Sequence, residues 1–337
     1  MIRQVLAGDI GGTNARLAIV TVSGPAEARI VHEARYPSST APGLAPLVLR
    51  YLAEAGARPD VACFGIACPV IDGDCEAPNL PWKVNVGALG REIGIPRTTI
   101  INDFQAVGHG LHSLSDTEVE ALQQGVADEH GPVALIGAGT GLGQGYLLWD
   151  GTRYVVHPSE GGHADFSPTS ALERDLLAFL AQEFGRVSSE RILSGAGIAH
   201  IYRFLKSAGV AKEQAAVRDE MAGTDPAPVI TRHGLAGTDP LSVRTLELFA
   251  AAYGSAAGNL ALTVLATGGV YIAGGIAPKI IRQLASGAFM DAFRNKGRLS
   301  GVVGRIPVRV VLTDDVALYG AAAVAARTRP TRTGRDD

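Results

Sequence analysis

Two stretches of this 337-residue chain carry residue types suited to holding phosphate. Gly8-Asp9-Ile10-Gly11-Gly12-Thr13-Asn14 lies between two apolar runs. Its glycines let the backbone approach a phosphate closely, successive N–H groups can cradle the oxygens, and Thr13 adds a hydroxyl. Asp9, at a strand end, can hold Mg²⁺ directly or through water. The same residues also suit an ordinary hairpin turn, where Asp is locally favoured. The second stretch, Gly137-Ala138-Gly139-Thr140-Gly141-Leu142-Gly143, has glycine at every second position. It fails G-x-G-x-x-G in every register, and no G-x-x-x-x-G-K-[ST] exists because no Lys follows a Gly. Dinucleotide and P-loop readings weaken accordingly. One Gly/Thr hairpin in each half points instead to phosphates held from two sides, with a plain turn as the alternative.

Other groups suit proton transfer and hydroxyl binding. Asn102-Asp103 ends an apolar run and opens a helix, where ligands sit in α/β folds. Asp103 can take a proton from a hydroxyl attacking a phosphoryl group; it can equally cap the helix. Pro158-Ser159-Glu160-Gly161-Gly162-His163 sets a carboxylate and an imidazole around a Gly-Gly turn, an acceptor and a donor for neighbouring hydroxyls. Zinc is disfavoured there, because no Cys lies near His163 and His157 has no metal-ligand spacing. Glu190 is a polar candidate at a helix start, or a first-turn Glu favoured by the helix dipole. Gly274-Gly275, after the apolar run Val270-Tyr271-Ile272-Ala273, leaves room for a flat ring or a ribose, or makes a plain turn.

The elements that must position these residues alternate between strand and helix. Strands are expected at 4–7, 15–20, 61–70, 98–101, 133–136, 144–148, 269–273 and 308–312. Helices are expected at 41–55, 104–112, 171–184, 197–207, 248–266 and 316–326. Residues 157–170 read as a loop, 209–243 as short helices and loops, and 327–337 as a frayed tail. The two halves open with the same strand–Gly/Thr turn–strand device, a weak internal repeat. Leu248 to Pro278 has no charged residue, long enough to span a bilayer, but its polar residues and change of period indicate a buried helix and strand. The N-terminus has no signal peptide, because Gly8 and Asp9 interrupt its apolar run.

Composition bounds the partners. The net charge is −3 with no Lys/Arg block, which argues against nucleic acid. Cys63, Cys68 and Cys75 are too few for a disulfide framework and fit a reducing, cytoplasmic setting, with Cys63 and Cys68 read as core thiols. The 42 glycines exceed average usage, a surplus of roughly 18 that places the backbone close to something at several points.

Taken together the motifs resemble the bacterial glucokinase family, in the branch outside the ROK proteins. The matching stretches are 8–17, Ala67-Cys68-Pro69, Asn79-Leu80-Pro81-Trp82, Ile101-Asn102-Asp103-Phe104, 137–143, 160–166, 189–195 and Ile272-Ala273-Gly274-Gly275-Ile276, in family order. The resemblance implies an α/β protein with the actin-like (ribonuclease H-like) ATPase fold. Two α/β domains, 1–110 plus 314–337 and 111–313, would flank a central cleft. It implies ATP- and Mg²⁺-dependent phosphorylation of D-glucose on its 6-hydroxyl, the first step of glycolysis, by a cytoplasmic homodimer with no nucleic-acid or membrane partner. Asp103 would be the catalytic base, and Asn79, Asn102, Asp103, Glu160, His163 and Glu190 would bind the sugar. Gly8, Asp9, Ile10, Gly11, Gly12, Thr13 and Asn14, with Gly137, Gly139, Thr140, Gly141 and Gly143, would hold ATP phosphates. Gly274 and Gly275 would lie at the adenosine, and Asp9 at the metal. Ala164-Asp165-Phe166-Ser167-Pro168 stands where the ROK branch carries its Cys-rich zinc motif, so zinc is not expected. A kinase for another hexose, such as mannose or fructose, is the nearest rival. A sugar-sensing regulator is disfavoured, because the first strand begins too early to leave room for an N-terminal helix-turn-helix.

Overall fold

The computed structural model describes residues 3–24, 27–76 and 82–328. Its contacts divide the chain into two compact units, Met1–Thr117 with Asp314–Asp337, and Glu118–Thr313. The first crossing thus falls at Thr117/Glu118, where the sequence reading places it at 110/111.

The first unit is built on β1 (Arg3–Ile10), β2 (Asn14–Gly24), β3 (Glu27–Pro37), β4 (Val61–Ile66), a small ribbon of β5 (Asp74–Glu76) and β6 (Lys83–Asn85), and β7 (Arg97–Asn102). The main sheet runs β3-β2-β1-β4-β7. β1, β2 and β3 form an antiparallel meander, and β4 and β7 lie parallel to β1. Alternation along the strands feeds two cores. Leu6, Ile10, Leu17, Phe64 and Ile66 pack with Leu47, Val48 and Tyr51 of helix Leu44–Ala55. Val5, Ala7, Ala18, Val20, Val61 and Cys63 pack with Leu318, Ala321, Ala322 and Ala325 of helix Val316–Arg327. The helix expected from residue 41 begins at Leu44, after Pro42-Gly43. β3 is missing from the sequence reading because its burial pattern is that of a half-exposed edge strand with Glu27, Arg29, Glu33 and Arg35 along it.

One cysteine assignment is corrected. Cys63 is a buried free thiol, but Cys68 and Cys75 form a disulfide, with Cα atoms 6.1 Å apart. The chain reverses between them through the Ile71–Asp74 bridge, with Asp72 and Gly73 at positive φ. A reversal of that kind brings Cys68, just past β4, and Cys75, in β5, within bonding range.

The second unit contains β8 (Val119–Gln123), β9 (Val133–Ala138), β10 (Leu142–Trp149), β11 (Tyr154–Ser159), β12 (Gly269–Ala273) and β13 (Val308–Val311). Its sheet runs β11-β10-β9-β12-β13-β8. Here too a three-strand antiparallel meander is followed by two strands parallel to its first member; β8 is added antiparallel at the edge. The weak repeat in the sequence is therefore a repeat of topology. β11 occupies part of the expected 157–170 loop, paired to β10 from Tyr154 to Ser159. The uncharged segment forms the later part of the buried helix Pro240–Thr263 and then β12. That helix starts earlier than expected, at an Asp239 cap whose Oδ2 accepts the Ser242 N–H at 2.9 Å. The 209–243 region holds the short helices Ala215–Met221 and Pro226–Ala236. No helix among the described residues is long and apolar enough to cross a membrane.

Arg16 locks the first unit. It lies opposite Asp9 in the β1–β2 ladder, on the face covered by Val316–Arg327. Its Nε donates to Glu33 Oε1 at 2.8 Å, Nη1 to the Asp314 carbonyl at 2.6 Å and Nη2 to Asp315 Oδ1 at 2.5 Å. Its side chain is 7% exposed and the two carboxylates about a third. Breaking a fully buried pair costs about 3–5 kcal/mol; partial exposure of the partners lowers this to about 2–3 kcal/mol for Arg16→Ala. Urea unfolding of the two proteins measures the difference.

Candidate functional site

In the first unit the β1–β2 turn is Gly11-Gly12-Thr13. Its tip is exposed, and its base is closed by the Gly11 N–H on the Asn14 carbonyl at 2.9 Å. Ser38, fully buried, pins it from behind. The Ser38 N–H donates to the Thr13 carbonyl at 2.8 Å, and its Oγ donates to the Gly11 carbonyl at 2.8 Å. Ser38 is not legible as a site residue, because its contact is made across 27 residues. Gly8 and Ile10 lie within the strand. Ile10 is fully buried, and a Cβ on Gly8 would strike the Phe64 ring, so packing alone requires glycine there.

Asp9 lies on the Arg16 face, and its carboxyl pKa is raised to about 6. Burial is the main cause; Arg16 opposes it, Asp103 and Asp314 add to it, and Arg35 opposes it. The folded value exceeds the ordinary 3.8. Charging Asp9 therefore opposes folding fully above about pH 6, and this penalty disappears as pH falls toward 4. Asp9→Asn is expected to stabilise the metal-free protein at pH 7.5 by about 1–3 kcal/mol, and hardly at all at pH 4. Thermal melts in EDTA at the two pH values measure this.

Asn102 and Asp103 stand at the end of β7 and the start of helix Asp103–Gly110. The cap is Asn102, not Asp103. Asn102 Oδ1 accepts the Phe104 and Gln105 N–H groups at 2.9 and 3.3 Å, and Gln105 Oε1 accepts the Asn102 N–H at 3.1 Å. Asn102 Nδ2 donates to the Cys68 carbonyl at 3.2 Å. This leaves one amide hydrogen for a ligand. Asp103 Oδ1 accepts the Phe104 N–H at 2.8 Å. Gly65 lets the helix approach: a Cβ there would press on Ala106 Cβ at 2.8 Å. Asn79 lies outside the described residues.

In the second unit the β9–β10 turn is Gly139-Thr140-Gly141, with Thr140 exposed at the tip and Gly137 and Gly143 paired in the strands. Buried Tyr253 anchors its root, its Oη accepting the Ala138 N–H at 3.0 Å. The Gly195 N–H donates to the Gly139 carbonyl at 2.9 Å, and the Leu142 N–H to Glu190 Oε2 at 2.9 Å. Gly274 is at φ +82, and a Cβ there would press on the Ala138 backbone at 2.5 Å. Only glycine suits both that φ and that approach. Gly275 faces open space. The glycines proposed for phosphate and adenosine thus meet at Ala138.

The same unit gathers Glu160, His163 and Glu190. His163 Nε2 lies 3.9 Å from Glu160 Oε2 and its Nδ1 3.8 Å from Glu190 Oε1. Gly161 and Gly162 turn the chain as the short helix Gly161–His163; a Cβ on Gly162 would strike the Leu142 carbonyl. The cluster is open: Glu160 and His163 are 66% and 59% exposed, so their polar atoms remain available to hydroxyls. The two groups of candidates belong to different units. Asp9, Asn102 and Asp103 lie in the first, and the turn, Glu160, His163, Glu190, Gly274 and Gly275 in the second.

Whether Mg²⁺ suits Asp9 is decided by charge. Asp9 is a buried carboxylate near Asp103 and Asp314; Arg16 and Arg35 offset their charge, and Arg16 is itself hydrogen-bonded to Glu33 and Asp315. No cluster of three or more His, Cys, Asp or Glu able to hold a metal occurs among the described residues. Mg²⁺ held by one carboxylate, waters and substrate phosphates would need no such cluster.

Residues 6–328 match the family model described as Glucokinase. The chain is 43% identical to the glucokinase of Trichormus variabilis over 96% of this chain and 99% of that one. It is 45% identical to the glucokinase of Synechocystis sp. over 96% and 98%. It superposes on a crystal structure of a glucokinase from an Antarctic psychrotroph with a TM-score of 0.83, at 32% identity, covering 97% and 99% of the two chains. These neighbours have the actin-like ATPase fold, and the repeated meander-plus-parallel sheets are that fold's two halves.

Proposed function

This chain belongs to the glucokinase family, and from that premise we propose how its residues divide the transfer of a phosphoryl group from ATP to the 6-hydroxyl of D-glucose. Glu160, His163 and Glu190 hold sugar hydroxyls, with Asn79 and the remaining amide hydrogen of Asn102 as further contacts. The Gly11-Gly12-Thr13 and Gly139-Thr140-Gly141 turns offer the N–H groups of Gly12, Thr13, Thr140 and Gly141 to the phosphates, those of Gly11 and Gly139 being held by the Asn14 and Gly141 carbonyls, and Gly274-Gly275 borders the adenosine. Asp103 accepts the 6-hydroxyl proton as O6 bonds to the γ-phosphorus and the bond to the bridging oxygen of ADP breaks. Asn102 positions it by capping the helix that Asp103 begins. Mg²⁺ at Asp9 would neutralise charge on the phosphates.

The observation that carries the reading is the meeting of the glycine turn, Glu190 and His163 in one unit, tied by the Leu142–Glu190 hydrogen bond. A coupled assay over D-glucose, D-mannose and D-fructose with ATP and Mg²⁺ tests it, with the highest kcat/KM expected for D-glucose. A clear preference for another hexose replaces the substrate. The reading extends to a cytoplasmic homodimer, whose mass sedimentation equilibrium measures.

A further inference from the structure

Glu190 faces two ways. Its Oε1 lies 3.8 Å from His163 Nδ1, on the proposed sugar side. Its Oε2 accepts the N–H of Leu142, where β10 leaves the glycine turn, at 2.9 Å. A Cβ on Gly141 would strike that same Oε2. Glycine at 141 is therefore what lets the carboxylate reach the Leu142 amide. The segment bearing Glu190 is bound to the turn a second time: Ser194 Oγ donates to the Glu190 carbonyl at 2.8 Å, and the next residue's N–H, that of Gly195, donates to the Gly139 carbonyl at 2.9 Å.

We propose that Glu190 is a positioning residue for the Gly139-Thr140-Gly141 turn, so that sugar held by its carboxylate and nucleotide held by the turn bind more tightly together than apart. This rests on the reading above, in which Glu190 contacts sugar and the turn contacts phosphate. A sugar hydroxyl on Glu190 restricts its rotamer. The Leu142 amide, held by a charge-assisted hydrogen bond, is fixed with it. The turn then meets a phosphate with its N–H groups already oriented. Reciprocity is a thermodynamic requirement: what sugar does for nucleotide affinity, nucleotide must do for sugar.

The test uses the full chain, Gly141→Ala and Glu190→Gln. Titration calorimetry measures D-glucose affinity without and with saturating AMP-PNP, a non-hydrolysable ATP analogue, and AMP-PNP affinity without sugar; the parent is expected to bind D-glucose about 5-fold or more tightly with AMP-PNP present, and equal affinities overturn the proposal. Gly141 has no side chain to offer a sugar, yet Gly141→Ala displaces Glu190 and is expected to weaken D-glucose by about 5-fold or more. Glu190→Gln keeps an acceptor for Leu142 but removes its charge, and is expected to weaken AMP-PNP by about 3- to 10-fold. Circular dichroism and Tm establish that each variant is folded, and Glu190→Gln alone decides the matter if Gly141→Ala does not fold. Unchanged D-glucose affinity in folded Gly141→Ala, or unchanged AMP-PNP affinity in Glu190→Gln, overturns the proposal. A parent protein that binds no D-glucose removes instead the reading beneath it, a result visible before any variant is made.

Discussion

Asp103→Asn is expected to lower kcat by about 10²–10⁴-fold, the range for loss of a positioned general base, while D-glucose binding stays within a few-fold of the parent. The substitution preserves shape. An Asn oxygen can still accept the Phe104 N–H that Asp103 Oδ1 accepts at 2.8 Å, and the Asn102–Gln105 capping box is untouched. What is lost is the site that receives the proton. Because sugar affinity is assigned chiefly to Glu160, His163 and Glu190, the loss appears in kcat and not in binding. The coupled assay gives kcat, and calorimetry gives the D-glucose Kd. Turnover within a few-fold of the parent would show that the 6-hydroxyl proton leaves by another route.

Gly320→Ala is expected to cost about 2–3 kcal/mol of stability, the usual price of overpacking. Helices Asp103–Gly110 and Val316–Arg327 cross at two glycines. A Cβ on Gly320 would strike the Ala106 carbonyl, and one on Gly110 the Val316 carbonyl. Both neighbours are backbone, so the helices must separate. Asp103 begins the helix that moves. A displacement near 1 Å at a reacting group costs on the order of 10²-fold in rate, so kcat should fall by about that much as well. Chemical denaturation measures the first effect and the coupled assay the second. A variant with parental stability and parental kcat would mean that the crossing is more compliant than its geometry implies.

These glycines also change what the glycine surplus means. The stretches proposed to hold ligands include Gly11, Gly12, Gly139, Gly141 and Gly275: Gly12 is exposed, a Cβ on Gly139 or Gly275 would meet nothing within 4 Å, and one on Gly141 would meet the Glu190 carboxylate. Gly110, Gly254 and Gly320 instead face the backbone of a neighbouring helix, and Gly8 faces Phe64. A sequence shows that backbone must come close to something. It does not show whether that is a phosphate or another helix, because both demand the absence of a Cβ.

Much of the rest follows a similar division between local and distant. The two hairpins, helix Ala171–Phe184 and strand Gly269–Ala273 are legible because their signals are local: glycines between apolar runs, a helical period behind Ser170, an apolar run before Gly274-Gly275. Asp103 is legible as a strand-end carboxylate, but its positioning by Asn102 emerges only from the hydrogen bonds. β3 is lost because an edge strand shows polar side chains, and β11 because it is an edge strand that contains Pro158. The Cys68–Cys75 bond depends on a turn, and the holds of Ser38 on Gly11 and of Glu190 on Leu142 depend on contacts far apart in the chain. No spacing rule encodes such contacts, since they arise after the sheets form.

The most direct measurement follows the phosphoryl group itself by ³¹P NMR, with D-glucose, ATP and Mg²⁺ present together and each omitted in turn. The expected result is loss of the ATP γ-phosphate signal matched by D-glucose 6-phosphate, only in the complete mixture. Release of inorganic phosphate at the same rate without D-glucose, or a sugar phosphate substituted at another position, would contradict transfer from ATP to the 6-hydroxyl.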